Sequence, residues 1–212
     1  MRFALTKEHL DFYYRYHYIE LEDLLSPKEV EELETSIDKL LPEDLSGKEL
    51  YKRGYDSWRK DPTIKKIVLR KTLAEVASEL TKKRALRIAF DVPLTGKIGE
   101  VPLFDHPMTL DEISSVKPIT CGLLLHLSSQ NPPEDPLPKK PGNGVFFSPR
   151  HPFSFDYLSK DPTITQLLIT YTNDHPLYTL NPIDPNTHVL KRSGYVFGDS
   201  LATTTHPFVL KP

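Results

Sequence analysis

Near Arg84 the hydrophobic period of this chain changes from the 3.6 residues of a helix to the two-residue alternation of a strand. Before that point Thr6 can cap a helix beginning at Lys7, and the aromatic cluster Phe12, Tyr13, Tyr14, Tyr16 and Tyr18 leads into Ile19-Glu20-Leu21, which alternates like a brief strand. Ser26-Pro27-Lys28-Glu29 is a strong start signal, with Ser as N-cap, Pro at the first helical position and Glu reaching back to close a capping box. Val30, Leu33, Ile37, Leu40 and Leu41 then recur at helical spacing, so one face of residues 27–41 packs inward until Pro42 ends it. Asp61-Pro62 opens another helix, Ile64, Ile67, Val68 and Leu73 continue the stripe, and a further helix runs through Leu73 to Leu80. Trp58, the only tryptophan, reads as a core anchor.

After Arg84 the segment Ala85-Leu86-Arg87-Ile88-Ala89-Phe90-Asp91 alternates. Further strands are expected at residues 117–128, 144–148, 164–173, 187–191 and 194–198, separated by Pro-rich turns. Residues 131–144 carry too much Pro and Gly for regular structure and read as a surface loop between two strands. The pentapeptide Lys-Asp-Pro-Thr-Ile occurs twice, at 60–64 and 160–164, but its surroundings differ, so it marks a shared turn rather than a duplication. Helices followed by many short strands, without regular βα alternation, specify an α+β fold built on a packed β-sandwich or barrel. The expectation is one domain over residues 1–212, helical over 1–84 and β over 85–212, because the apolar helix stripes need the sheet as partner.

The charge balance excludes some functions. Twenty-seven Lys and Arg against 29 Asp and Glu leave a net charge of -2, so no global basic field invites nucleic acid. Cys121, the one cysteine, has no disulfide partner, is too few for a Cys-based zinc site, and lies in the apolar run Ile119 to Leu125 as a buried structural thiol would. No secretory h-region opens the chain, and no apolar stretch approaches the roughly 18 residues of a membrane span, so a cytoplasmic protein with no membrane partner is expected. Neither a Walker loop nor a dinucleotide fingerprint occurs, and no motif context identifies a Ser/His/Asp triad.

A resemblance adds to this. Leu5-Thr6-Lys7-Glu8-His9-Leu10-Asp11-Phe12-Tyr13 followed by Tyr18-Ile19-Glu20-Leu21 and Ser26-Pro27-Lys28-Glu29-Val30 resembles the opening of the phytanoyl-CoA dioxygenase family. The later order is similar as well: a helix at 71–80 before the strand Leu86-Arg87-Ile88, the strand 121–127, the turn and strand 142–151, and Gly194 to Asp199 before His206. The resemblance implies a double-stranded β-helix, or jelly roll, preceded by N-terminal helices that pack on it. It also implies Fe(II) held by two histidines and a carboxylate, open to 2-oxoglutarate and oxygen.

The chain departs from that pattern where the chemistry resides. His206 matches the family's late histidine by position, and His106 matches the first, yet Met108 stands where the carboxylate belongs, and a thioether is not the hard oxygen ligand iron expects. Asp105 adjoins His106 and would project to the opposite side of a strand, unless a loop turns it or Asp111 inward. The only His-x-Asp, His9-Leu10-Asp11, lies in a helical segment, where residues two apart do not share a face. The Arg that would pair with 2-oxoglutarate is missing, leaving Lys211 as a point charge without the bidentate fork. Two functions follow. One is a jelly-roll protein that has lost its metal, needs no cofactor, and binds a small ligand or protein partner. The other is an Fe(II)/2-oxoglutarate-dependent dioxygenase with a rearranged site of His106, His206 and Asp105, hydroxylating a small molecule or acyl substrate. Loss of both the carboxylate and the Arg favours the first.

Overall fold

A computed structural model describes residues 4–42, 47–98, 106–129 and 137–212. Helix α1 (Lys7–Tyr16) begins at a reciprocal cap: His9 N–H donates to Thr6 Oγ1 at 3.3 Å and Thr6 N–H to His9 Nδ1 at 3.2 Å. After strand β1 (Tyr18–Leu21), helix α2 (Pro27–Leu40) starts at the Ser26–Glu29 box read from the sequence, with Ser26 N–H donating to Glu29 Oε2 at 3.0 Å. Its inward stripe is Val30, Leu33 and Ile37, all buried. Helix α3 (Gly47–Gly54), which the sequence pattern did not anticipate, leads through a 3₁₀ turn (Ser57–Arg59) into α4 (Pro62–Val68) and α5 (Lys71–Thr81).

The remainder supplies β2 (Leu86–Thr95), α6 (Leu110–Ile113), β3 (Val116–His126), β4 (Gly144–Phe147), α7 (Asp156–Lys160), β5 (Thr165–Tyr178), α8 (Asn186–Arg192) and β6 (Phe208–Leu210). All six strands form one antiparallel sheet in the order β1-β4-β3-β5-β2-β6. The fold is therefore α+β, with helices on an antiparallel sheet, and the buried apolar residues of both form a continuous core. Strand β5 pairs with β2 and β3, both at its sides, and the row Phe90, Thr170, Gly122, Phe147 crosses four strands on one face.

Two expectations are corrected. Residues 187–191 form α8 rather than a strand, because Asp184 folds the chain into a turn by accepting from Asn186 N–H at 2.7 Å, and only Leu190 of the apolar pair Val189, Leu190 packs inward. Residues 194–198 form a turn, in which Gly194 and Gly198 take φ of 91° and 97°, a conformation that interrupts any strand there. Where a second sheet would stand, the described residues hold only the isolated bridges Met108↔Phe153 and Leu177↔Ser200. The repeated pentapeptide behaves as a turn in both places: Asp61 Oδ1 accepts from Thr63 N–H (2.8 Å) and Ile64 N–H (2.9 Å), and Asp161 Oδ1 from Thr163 N–H (3.0 Å). One continues as α4 and the other as β5.

Candidate active site face

On the sheet face that carries Phe90, Thr170, Gly122 and Phe147, Tyr55 stacks on Phe90 at 5.0 Å, and Leu110 of α6 and Phe153, which pairs with Met108, lie over Gly122 and Phe147. Aromatic rings fill the space between. Phe147 and Phe153 lie 4.8 Å apart edge to face, and Phe153 and Phe155 repeat the arrangement at 4.8 Å. Gly122 is required under them, since a Cβ there would stand 2.5 Å from the Phe147 ring and 2.7 Å from Leu110 Cδ1. A cavity of about 20 Å³ remains, lined by Leu124, Leu137, Val145, Phe147, His151 and Phe153, which has room for about one water.

His106 is exposed at a bend, and Glu112 is a charged neighbour. Met108 is buried, and its N–H and C=O both pair with Phe153, at 2.9 and 3.0 Å. Asp111 is held outward by Lys117 Nζ at 3.2 Å. Asp105 lies outside the described residues, and Lys211 is exposed beyond β6. His9 is engaged in the α1 cap and is separate from any of these.

His206 is 1% exposed. Its Nδ1 sits 3.0 Å from Thr205 Oγ1, and its Nε2 has no hydrogen-bond partner among the described residues. Burial, reinforced by the positive charges of Arg59 and Arg87, pushes the imidazole down to about 3, so it is neutral at any physiological pH. Arg87, itself buried, clamps the approach to β6 by donating to the carbonyls of His206 (2.5 Å), Leu201 (2.8 Å) and Asp174 (3.3 Å). Arg59 donates to Asp56 Oδ2 at 3.1 Å and to the Thr205 carbonyl, with its guanidinium 4.2 Å from the Trp58 ring centroid. The late histidine is thus framed by two guanidinium groups. Among the described residues, no three His, Cys, Asp or Glu side chains gather closely enough to hold a metal ion.

Buried carboxylates of a different kind emerge, and the sequence reading missed them. Asp56, Asp91 and Asp184 are all buried. Asp91 Oδ1 accepts from Trp58 N–H at 3.2 Å and its Oδ2 bonds the Ser57 hydroxyl; burial, then the charge of Asp56, holds its carboxyl up at about 8. Asp184 accepts from Ser115 N–H (2.6 Å), Ser115 Oγ (2.7 Å) and Asn186 N–H, yet burial still leaves its carboxyl raised. The signal for Asp91 was present: it interrupts the apolar strand Ile88-Ala89-Phe90-Asp91-Val92, a position that demands a partner. Cys121 is buried as expected, 4.0 Å from the Tyr13 hydroxyl, its thiol pushed up to about 12 by burial, which leaves it inert.

Comparison with solved structures supplies the fold's relatives. The non-heme α-ketoglutarate-dependent epimerase SnoN from nogalamycin biosynthesis superposes with a TM-score of 0.71 at 15% identity, covering 97% of this chain and 98% of that one. The two chains share a fold. SnoK, the non-heme α-ketoglutarate-dependent carbocyclase of the same biosynthesis, gives a TM-score of 0.70 at 14% identity over 96% of both chains. CT296 from Chlamydia trachomatis gives 0.54 at 22% identity, covering 81% of this chain and 97% of that one. No family model and no curated relative matches the sequence.

Proposed function

We propose that this chain is a degenerate, phytanoyl-CoA dioxygenase-like jelly-roll protein that acts by binding a small ligand or a protein partner rather than by oxygenation. Its finer architecture, in this reading, is a double-stranded β-helix in one domain over residues 1–212, with the second sheet represented among the described residues by the bridges at Met108 and Leu177. The observation that carries the proposal is the setting of His206. Among the described residues, a divalent cation at that nitrogen would meet Arg59 and Arg87 as charged neighbours rather than a carboxylate, and two imidazole ligands alone offer too little charge to hold it against water. The ring-filled sheet face supports the same reading, since 2-oxoglutarate needs several times the volume left beside Phe147. Met108, packed against Phe153 in the carboxylate's place, is consistent with this.

The alternative is an active Fe(II)/2-oxoglutarate-dependent dioxygenase for a small molecule or acyl substrate, with His106, His206 and Asp105 as iron ligands and Lys211 toward 2-oxoglutarate. One observation favours it: the buried, unpartnered Nε2 of His206 is the state in which a ligand nitrogen is left when its metal is absent. Anaerobic thermal unfolding separates the two. With Fe(II) and 2-oxoglutarate in excess, a ligand at 100 times its Kd would stabilise the fold by about 2.7 kcal/mol, raising Tm by a few degrees. The proposal expects no such rise. A rise that His206→Ala abolishes would establish the oxygenase instead.

A further inference from the structure

We infer that the end of the molecule formed by α8 and the turn after it is a docking surface for an anionic lipid bilayer. Five of the eight large hydrophobic side chains left exposed among the described residues fall in one stretch: Leu177, Leu180, Val189, Val196 and Phe197. The stretch is one surface. Tyr195 N–H donates to the Leu190 carbonyl and Gly194 N–H to that of Lys191, which ties the turn to α8. Gly198 N–H donates to the Tyr178 carbonyl and Tyr178 N–H to that of Asp199, which ties it to the end of β5 beside Leu177 and Leu180.

These side chains project. Leu180 is 65% exposed, Val196 68% and Phe197 45%, and the glycines flanking the Val-Phe pair have no atom near the place a side chain would occupy. Apolar tips on separate turns suit insertion among lipid headgroups. Beside them runs a groove of about 570 Å³ lined by Lys52, Pro185, His188, Val189, Lys191 and Arg192, in which Lys52 is paired with Glu49 at 3.9 Å and no lining side chain is acidic. The chain as a whole carries -2, so this concentration of positive charge is local, and it complements the negative surface of a phosphatidylserine-containing leaflet. Asp199, which accepts from Val196 N–H at 2.7 Å, is the opposing charge in the turn. No helix of the described residues is long and apolar enough to cross a membrane, and the contact inferred is with its surface.

The test is flotation of the full chain with phosphatidylcholine vesicles containing about 30 mol% phosphatidylserine, at low and high salt. Binding is expected at low salt, weakened at high salt and weaker on phosphatidylcholine alone. The pair Leu180→Asp and Val196→Asp should reduce it by about tenfold or more, as should Lys191→Glu with Arg192→Glu, with thermal unfolding unchanged because these side chains face solvent. Absence of binding, or binding that either pair leaves intact, overturns the inference. Light scattering that shows a dimer dissociated by Val196→Asp, without vesicle binding, would assign the surface to a second copy of the chain and overturn it as well.

Discussion

Asp91→Asn should make this protein more stable, and by an amount that grows with pH. The wild-type carboxyl is buried on β2 between the Ser57 hydroxyl and Trp58 N–H, and stands at about 8 against 3.8 for an ordinary aspartate. Between those two values the folded chain keeps a proton that the unfolded chain releases. A raised carboxyl therefore contributes stability below about pH 4 that is lost progressively as pH climbs towards 8, by about 1.4 kcal/mol per pH unit. From pH 5 to pH 7 the loss from this one group is about 3 kcal/mol, with a ceiling near 6 kcal/mol across the whole window. Asparagine reproduces the neutral acid, since its oxygen still accepts from Trp58 N–H and its amide donates to Ser57 Oγ, but it has no proton to lose when the chain unfolds. Urea titrations followed through Trp58 at pH 5, 6 and 7, for wild type and variant, measure the difference directly. Asp56 and Asp184 are raised in the same direction and remain in both proteins, so subtraction leaves Asp91 together with its coupling to Asp56. Parallel profiles, or a variant that loses stability equally at each pH, would refute the buried neutral carboxyl.

Phe147→Ala removes the ring that fills the sheet face over Gly122 and should cost about 3 to 5 kcal/mol in denaturant unfolding. Arg87→Ala strips the donors from the His206, Leu201 and Asp174 carbonyls, so a loss of about 3 kcal/mol is expected, with faster amide exchange in β6 and the residues before it. A fragment of residues 1–84 should show no cooperative melting, because the buried stripes of α2 and α5 would have no sheet to cover them.

The capped helices were legible because their signals are local. Ser26 to Glu29 specifies the start of α2 within four residues, and the alternation after Arg84 specifies β2 in the same way. Residues 187–191 misled because a short apolar run has no period of its own, and what decides it is Asp184, three positions earlier, acting through a backbone bond. Of the candidate site, the sequence singles out His206 and the methionine at 108, both buried, but the two arginines that frame His206 come from the 3₁₀ turn and from β2, more than a hundred residues away. No spacing rule reaches across that distance. The buried Asp56 and Asp184 were hidden for the same reason, since each reads locally as a turn residue.

The two ends of the sheet are closed by its shortest strands, four-residue β1 near one terminus of the chain and three-residue β6 near the other. Each acts as a stopper. Strand β6 covers the start of β2, and beyond Ile88 the open edge of β2 is taken over by Asp56 N–H, which donates to the Asp91 carbonyl at 2.8 Å. A chain clipped after Thr205 would bare the start of β2, Leu86 to Ile88, whose side chains are buried in the intact fold, leaving that stretch of edge ready to pair with a neighbour's. Loss of β6 would therefore surface as self-association before it surfaced as unfolding, so this three-residue strand is in effect a guard on the sheet's edge.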